Sequence, residues 1–287
     1  KEKLTYLENL KQNASQTRTL NGAKTWSATG NACLDLFAVA GGMRYRSAAD
    51  GNRLFELAYL ENPELAMALA QRGRVAAVLP RIVHDGEMPK LRQDLMQLRE
   101  LGIREALVGN LGHLVPVREC GMAIRGDFGL NLFNSIAVNM AKQMELRSAC
   151  LSFEMTLPQM RDVSKAVPCE IFAYGRLPLM VTENCLIRSR TGSCTCHLFG
   201  TRLTDKTGAD FPVIKDGSSC RSVLLNGKKL NWLDRAYDLY RLGLWAVRLY
   251  FTTENPNEVD QVLASCDNPQ PFDPGTSTRG LYLRGLD

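Results

Sequence analysis

Six short apolar runs separated by helical patterns predict an α/β fold built on a parallel sheet. The runs are VAAVLP (75–80), EALVGNL (105–111), GMAIRGDF (121–128), ACLSFEM (149–155), CEIFAYG (169–175) and WAVRLYFT (245–252). Each has the length of a buried strand, and amphipathic stretches between them mark repeated βα units. A second observation concerns the polar residues at the ends of the runs: Arg81, then Asn110 and His113, Asp127 and Asn131, Glu154, Tyr174 and Arg176, and Thr253 and Glu254. In parallel α/β folds the working side chains stand just past the C-terminal strand ends. Third, the fifth run leads into a stretch with cysteines at 185, 194, 196 and 220.

Taken in order, residues 1–70 read as a small helical segment. Ser27–Asn31 is rich in capping residues, and Ala32–Ala40 is an apolar run stopped by Gly41-Gly42, as expected after a helix end. Asn52–Leu60 and Pro63–Gln71 carry apolar residues at helical spacing. Residues 71–184 hold the first five βα runs, with helices over Met88–Leu101, Ser135–Leu146 and Leu157–Val163. Residues 185–230 form a cysteine-rich insert in which FPVI (211–214) and SVLLN (222–226) pair as a small β unit, preceded by a Pro-Leu-Met turn at 178–180. A closing αβα unit occupies 231–268, with helices over Asn231–Leu242 and Asn257–Ser265. The Pro/Gly-rich stretch 269–287 is an irregular extension.

Composition sets wide bounds. The net charge of +5 and a pI near 8.7 permit a nucleic-acid partner without arguing for one. No apolar run approaches the roughly 18 residues of a membrane helix, so no membrane partner is expected. The segment KEKLTYLENLKQNASQ lacks the apolar centre of a secretory signal. A cytoplasmic location is therefore the expectation, where the nine cysteines stay reduced unless they bind metal or do redox work.

Cys185, Cys194, Cys196 and Cys220 give the spacing C-x8-C-x-C-x23-C. Thiolates are the soft ligands of iron–sulfur clusters and zinc, and a closed site takes four. All four lie in the loop and insert that come after one strand. Structural free thiols and a redox pair are the competing readings, and His197 is a loop histidine beside them. Cys33, Cys120, Cys150, Cys169 and Cys266 sit among apolar residues and read as core.

The motif YGRLPLMVTENC, with LPRI (79–82), GNLGHL (109–114), GDFGLNLFNS (126–135), LSFEM (151–155), DGSSCRSVLLN (216–226) and FDPGTSTRGLYLRG, resembles the collagenase-like peptidase family U32 over roughly residues 72–287. That resemblance implies a TIM-type (β/α) barrel whose seventh-strand loop carries cysteines. Two strands expected ahead of VAAVLP have no counterpart in the helical reading of 1–70. The barrel is therefore expected to be incomplete, with open edges that invite self-association. A shorter string, LNGAKTWSATGNACLDLFAVAGGMR, resembles the opening of Ro-type (TROVE) RNA-binding proteins over about Thr19–Met67.

The U32 resemblance implies two chemistries, proteolysis and oxygen-independent hydroxylation with a four-iron four-sulfur cluster. Cluster-binding members carry a cysteine where this chain has Pro178, so Cys194 or Cys196 must complete the ligand set; zinc is the alternative metal. The expected function is hydroxylation of tRNA or rRNA. Asp127, Glu154 and Tyr174 would handle protons; Arg81, Asn110, His113, Asn131 and Arg176 would bind substrate, the arginines through bidentate recognition of anionic groups. The alternative is a peptidase acting on a peptide substrate, with Cys185 and His113 as the conceivable thiolate pair. No HExxH or GxSxG motif occurs. A third reading is a non-catalytic truncated or chimeric remnant.

Overall fold

The computed structural model describes residues 35–40, 53–56, 75–193, 201–216, 220–254, 256–267 and 270–284. It is a mixed α/β structure with a mostly parallel principal sheet. The first seven strands are β1 (Asp35–Ala40), β2 (Arg53–Glu56), β3 (Val75–Val78), β4 (Glu105–Val108), β5 (Ala123–Gly126), β6 (Ser148–Cys150) and β7 (Cys169–Gly175). Later come β8 (Pro178–Thr182), β9 (Arg202–Thr204), β10 (Asp210–Lys215), β11 (Ser222–Leu225), β12 (Lys229–Asn231), β13 (Ala246–Phe251) and β14 (Ser277–Thr278).

Strands β1 to β7 pair in parallel, each with the next. β13 is parallel to both β7 and β1, so the pairing returns to its start. This corrects two expectations. The Ala32–Ala40 and Asn52–Leu60 stretches contribute strands β1 and β2 where helices were expected. With those strands supplied, the ring β1–β7 plus β13 closes, and the open edges that would invite self-association are paired. The Pro63–Gln71 helix lies outside the described residues.

The inner strands are short and mostly apolar, as strands covered on both faces tend to be. β4, β6 and β7 are buried at every position. Among the described residues, helices α1 (Met88–Glu100), α2 (Leu114–Glu119), α3 (Ser135–Gln143) and α4 (Leu157–Asp162) follow β3, β4, β5 and β6. α1 buries Leu91, Leu95 and Leu98, the stripe a 3.6-residue period places on one face. Asn134 caps α3 by accepting from the Ala137 N–H at 2.9 Å. A Thr156–Gln159 capping box starts α4.

β7 meets β13 through a register irregularity at Arg248/Leu249. Gly175 ends β7 at φ 125°, and a Cβ there would stand 2.1 Å from the Tyr250 carbonyl oxygen. Only glycine allows that closure.

The insert is a four-stranded sheet in the order β8-β11-β10-β9, each neighbouring pair antiparallel. The expected β10–β11 pair is present. The Pro-Leu-Met turn is instead the start of β8. Helix α5 (Leu186–Thr191) follows β8. The helix expected over Asn231–Leu242 is shorter: Lys229–Asn231 is strand β12, and α6 covers Ala236–Tyr240. α7 (Pro256–Asp267) follows β13. The C-terminal stretch is anchored rather than loose. Tyr282 is fully buried and donates to the Phe172 carbonyl at 2.7 Å, while Arg279 pairs with Asp234 at 2.6 Å.

Candidate functional site

Two layers of buried charge cross the interior of the ring. Nearer the strand starts, Arg125 of β5 donates to Glu105 of β4 at 2.6 Å and to Ser148 of β6 at 3.0 Å. Its guanidinium also lies 5.1 Å from the Trp245 ring. Nearer the strand ends, Arg248 of β13 pairs with Asp127, just past β5, and with Glu170 of β7. β13 and β5 are not neighbours in the sheet, so Arg248 reaches Asp127 only across the interior. Burial pushes the Glu170 carboxyl above the usual range, with Arg248 working against it. Burial likewise raises the Cys150 thiol beside them and pushes Cys169 up to about 12. These thiols are inert core, as the sequence suggested.

Above this layer the mouth is aromatic. Phe128, after β5, lies 5.6 Å from Phe153, after β6, and 5.5 Å from Phe172 of β7; Tyr250 of β13 stands edge-on to Phe172 at 5.4 Å. Phe153 and Tyr250 are half-buried, so the cluster reaches solvent. The Arg81 guanidinium, after β3, sits 5.1 Å over the Phe128 ring. It makes no ion pair among the described residues, and neither does the half-buried carboxylate of Glu154. A stacked cation, a carboxylate and aromatic faces at one strand-end rim can take a polar ligand with an anionic group.

Of the other residues expected at the site, Asn110, Tyr174 and Arg176 make structural contacts. Asn110 donates to the Arg81 carbonyl at 3.2 Å and accepts from the Gly112 N–H at 2.9 Å, tying two rim loops together. His113 is fully buried, neither ring nitrogen has a partner among the described atoms, and burial lowers its pKa. Its proposed pairing with Cys185 is not made. Exposed Asn131 takes the left-handed conformation, φ 49°, after Leu130. Tyr174 donates to Glu254 at 3.3 Å. Arg176 donates through Nε to Thr253 Oγ1 at 3.3 Å and through Nη1 to the Asn226 and Gly227 carbonyls.

At the insert, Cys185 caps α5, its sulfur accepting from the Arg188 N–H at 3.4 Å. Cys220 is exposed, Cys185 is half-buried, and both thiols are free. The β8–β11 register pairs Thr182 with Ser222, and the Leu186 N–H donates to Ser222 Oγ at 3.2 Å. Cys185 and Cys220 therefore emerge at the same end of that strand pair. Cys194, Cys196 and His197 lie outside the described residues. Among the described residues no three His, Cys, Asp or Glu side chains group as a metal site; two of the four expected thiols can be placed.

Arg248, Glu170 and Arg221 were absent from the expected site. A signal existed for the first two: each is a charge inside an otherwise apolar strand, AVRLYF and CEIFAYG. A charge buried on both faces must find a partner inside the ring.

The model of peptidase family U32 matches residues 54–265. The chain belongs to peptidase family U32. The match begins within β2 and so takes in part of the stretch resembling Ro-type proteins, a resemblance that gains no support. The U32 peptidase Mk0906 superposes with a TM-score of 0.50 at 9% identity, covering 79% of this chain and 96% of that one. At that identity the likeness concerns the fold of U32 proteins alone. A chitinase from Chromobacterium violaceum ATCC 12472 covers 83% of this chain and 100% of its own at 8% identity, but its TM-score of 0.37 carries no weight. Comparison with curated proteins returns no match. No helix among the described residues is long and apolar enough to cross a membrane.

Proposed function

We propose that this U32 protein is an RNA-modifying enzyme, a tRNA or rRNA hydroxylase, with a thiolate-held iron–sulfur centre beside the mouth of a complete TIM-type barrel. The carrying observation is the convergence of Cys185 and Cys220 at one end of the β8–β11 pair. Their donor set fits: two free, accessible thiols are soft ligands, and Cys194 and Cys196 would complete four. A four-iron four-sulfur cluster held there would supply one-electron chemistry, while zinc in the same ligands would be structural.

The chain's own residues supply the rest. Arg81 would hold an anionic group against the Phe128 face, and Glu154 would accept or return a proton at the rim. Asp127, held by Arg248, fixes the charge beneath them. Exposed Arg188 and Arg190 on α5, with Lys206 and Lys215 on the insert, offer cations to a phosphate backbone.

The test is anaerobic purification with iron and sulfide assay of the full chain, where Cys185→Ser is expected to lose most of the bound iron. Peptide hydrolysis is the second reading, favoured by the family and by the Glu154 carboxylate, which makes no ion pair among the described residues and could activate water. A colourless, iron-free protein that cleaves gelatin equally well as Cys185→Ser would overturn the first reading and leave the second.

A further inference from the structure

We infer that Arg221 is the positioning residue that holds Cys185 and Cys220 beside one another and fastens both to the barrel rim. The inference rests on the reading that these two thiols belong to one site. Arg221 directly follows Cys220, and its side chain is only 5% exposed. Its Nε donates to Glu183 Oε1 at 2.6 Å, and Glu183 stands two residues before Cys185. Its Nη2 donates to Glu87 Oε2 at 2.8 Å, and its Nη1 to the Ile82 carbonyl at 2.9 Å. One planar guanidinium thus joins the segment carrying each cysteine to the loop that carries Arg81. Such a rigid fork fixes direction as well as distance, which an ammonium does not.

Two further contacts close the same unit. His84 Nε2 lies 3.0 Å from Glu183 Oε1, and the His84 N–H donates to Glu87 Oε2 at 2.8 Å. The Leu186 N–H reaches Ser222 Oγ at 3.2 Å on the other side of Cys185. The partners of Arg221 come from positions 38, 134 and 139 residues away in sequence. The chain's local geometry alone does not impose this arrangement. Without Arg221, the β8–β11 ladder still pairs, but the loops bearing the two thiols lose their shared anchor.

The experiment uses the full chain, reduced and stripped of metal, with dibromobimane, whose fluorescence requires bridging of two thiols. The Cys185–Cys220 bridge is identified by peptide mass. Arg221→Met is expected to slow bridging about tenfold through lost orientation, while monofunctional alkylation of each cysteine changes by less than about twofold. Arg221→Lys, which keeps the charge but not the fork, should recover little. A purely structural role would lower the unfolding midpoint and leave bridging in the folded protein untouched. If Arg221→Met does not fold, the double variant Glu87→Gln/Glu183→Gln, at one half-buried and one exposed position, carries the same test. Unchanged bridging in a folded variant, or no bridging in the parent protein, overturns the inference. Arg221-dependent bridging in a protein that never holds iron sustains it and sinks the cluster reading alone.

Discussion

Two arginines organise two regions of this chain, and their partners make them energetically different. Arg248 lies inside the ring with Asp127 and Glu170, whose side chains are 9% and 2% exposed. Arg221 is as buried, but its carboxylate partners Glu87 and Glu183 are 45% and 59% exposed. Losing Arg248 would strand two carboxylates away from water. Losing Arg221 would leave these two open to water, with Asp216, which it also faces, the one more buried carboxylate to lose its field. The first arginine is thus tied to stability and the second to geometry, although both make charge-assisted hydrogen bonds to two carboxylates. Arg248→Met is therefore expected to cost about 3–5 kcal/mol of folding free energy, the penalty for uncompensated buried charge. Urea unfolding measures it. Adding Asp127→Asn and Glu170→Gln should restore much of the loss, since the stranded charges go with them. A loss no larger than that of Arg221→Met would erase the distinction.

Acid separates the same two regions by sign. Burial raises the Glu170 pKa above 4.5, so the folded state holds that proton more tightly than the unfolded chain. Its contribution to stability is present below the unfolded value and is lost as pH rises through the folded one. Glu87 and Glu183 behave oppositely. Hydrogen bonds from Arg221 hold both below 4.5, so their contribution is present above that value and is lost as pH falls through the depressed ones. Urea midpoints followed against pH should show Glu170→Gln flattening the slope above about 4.5 and Glu87→Gln/Glu183→Gln flattening the slope below it. If both variants altered the same limb, the two networks would not be electrostatically distinct.

The same contrast explains what the sequence disclosed. The interior strands were legible because they are short, apolar and bounded by polar loops. β1 and β2 were not. DLFAVA has no period-two alternation to mark it as a strand, and Gly41-Gly42 ends a strand as readily as a helix. Lys229–Asn231 was misread for a different reason: its antiparallel pairing with the end of β7 is a tertiary decision. At the site, Asp127 could be picked out because it follows a strand. Arg248, 121 residues further on, could not be matched to it without the closed ring. For Arg176 the sequence could show a cation at a strand end, but not that backbone carbonyls and Thr253 Oγ1 take its Nε and Nη1 donors. The four cysteines were visible as a spacing, yet only the β8–β11 register brings the first and last together.

Tyr174 gives the smallest expected effect and tests where the working region stops. Its hydroxyl donates to Glu254 Oε1 at 3.3 Å, and Lys229 Nζ stands 3.2 Å from that oxygen. The other Glu254 oxygen accepts the N–H groups of Thr252 and Thr253 at 2.8 and 3.0 Å. Burial first, then Glu254, hold the phenol well above its ordinary pKa, so near neutral pH it keeps its proton. This makes Tyr174 a brace between the end of β7 and the loop after β13, set apart from the Arg81–Phe128 rim. Tyr174→Phe is expected to cost about 0.5–1.5 kcal/mol, the net worth of one hydrogen bond. Turnover and its pH profile, once a substrate is in hand, should be unmoved. A folded Tyr174→Phe protein that loses turnover by more than about tenfold, equivalent to ~1.4 kcal/mol of barrier, would place the phenol in the proton path and extend the site across β13.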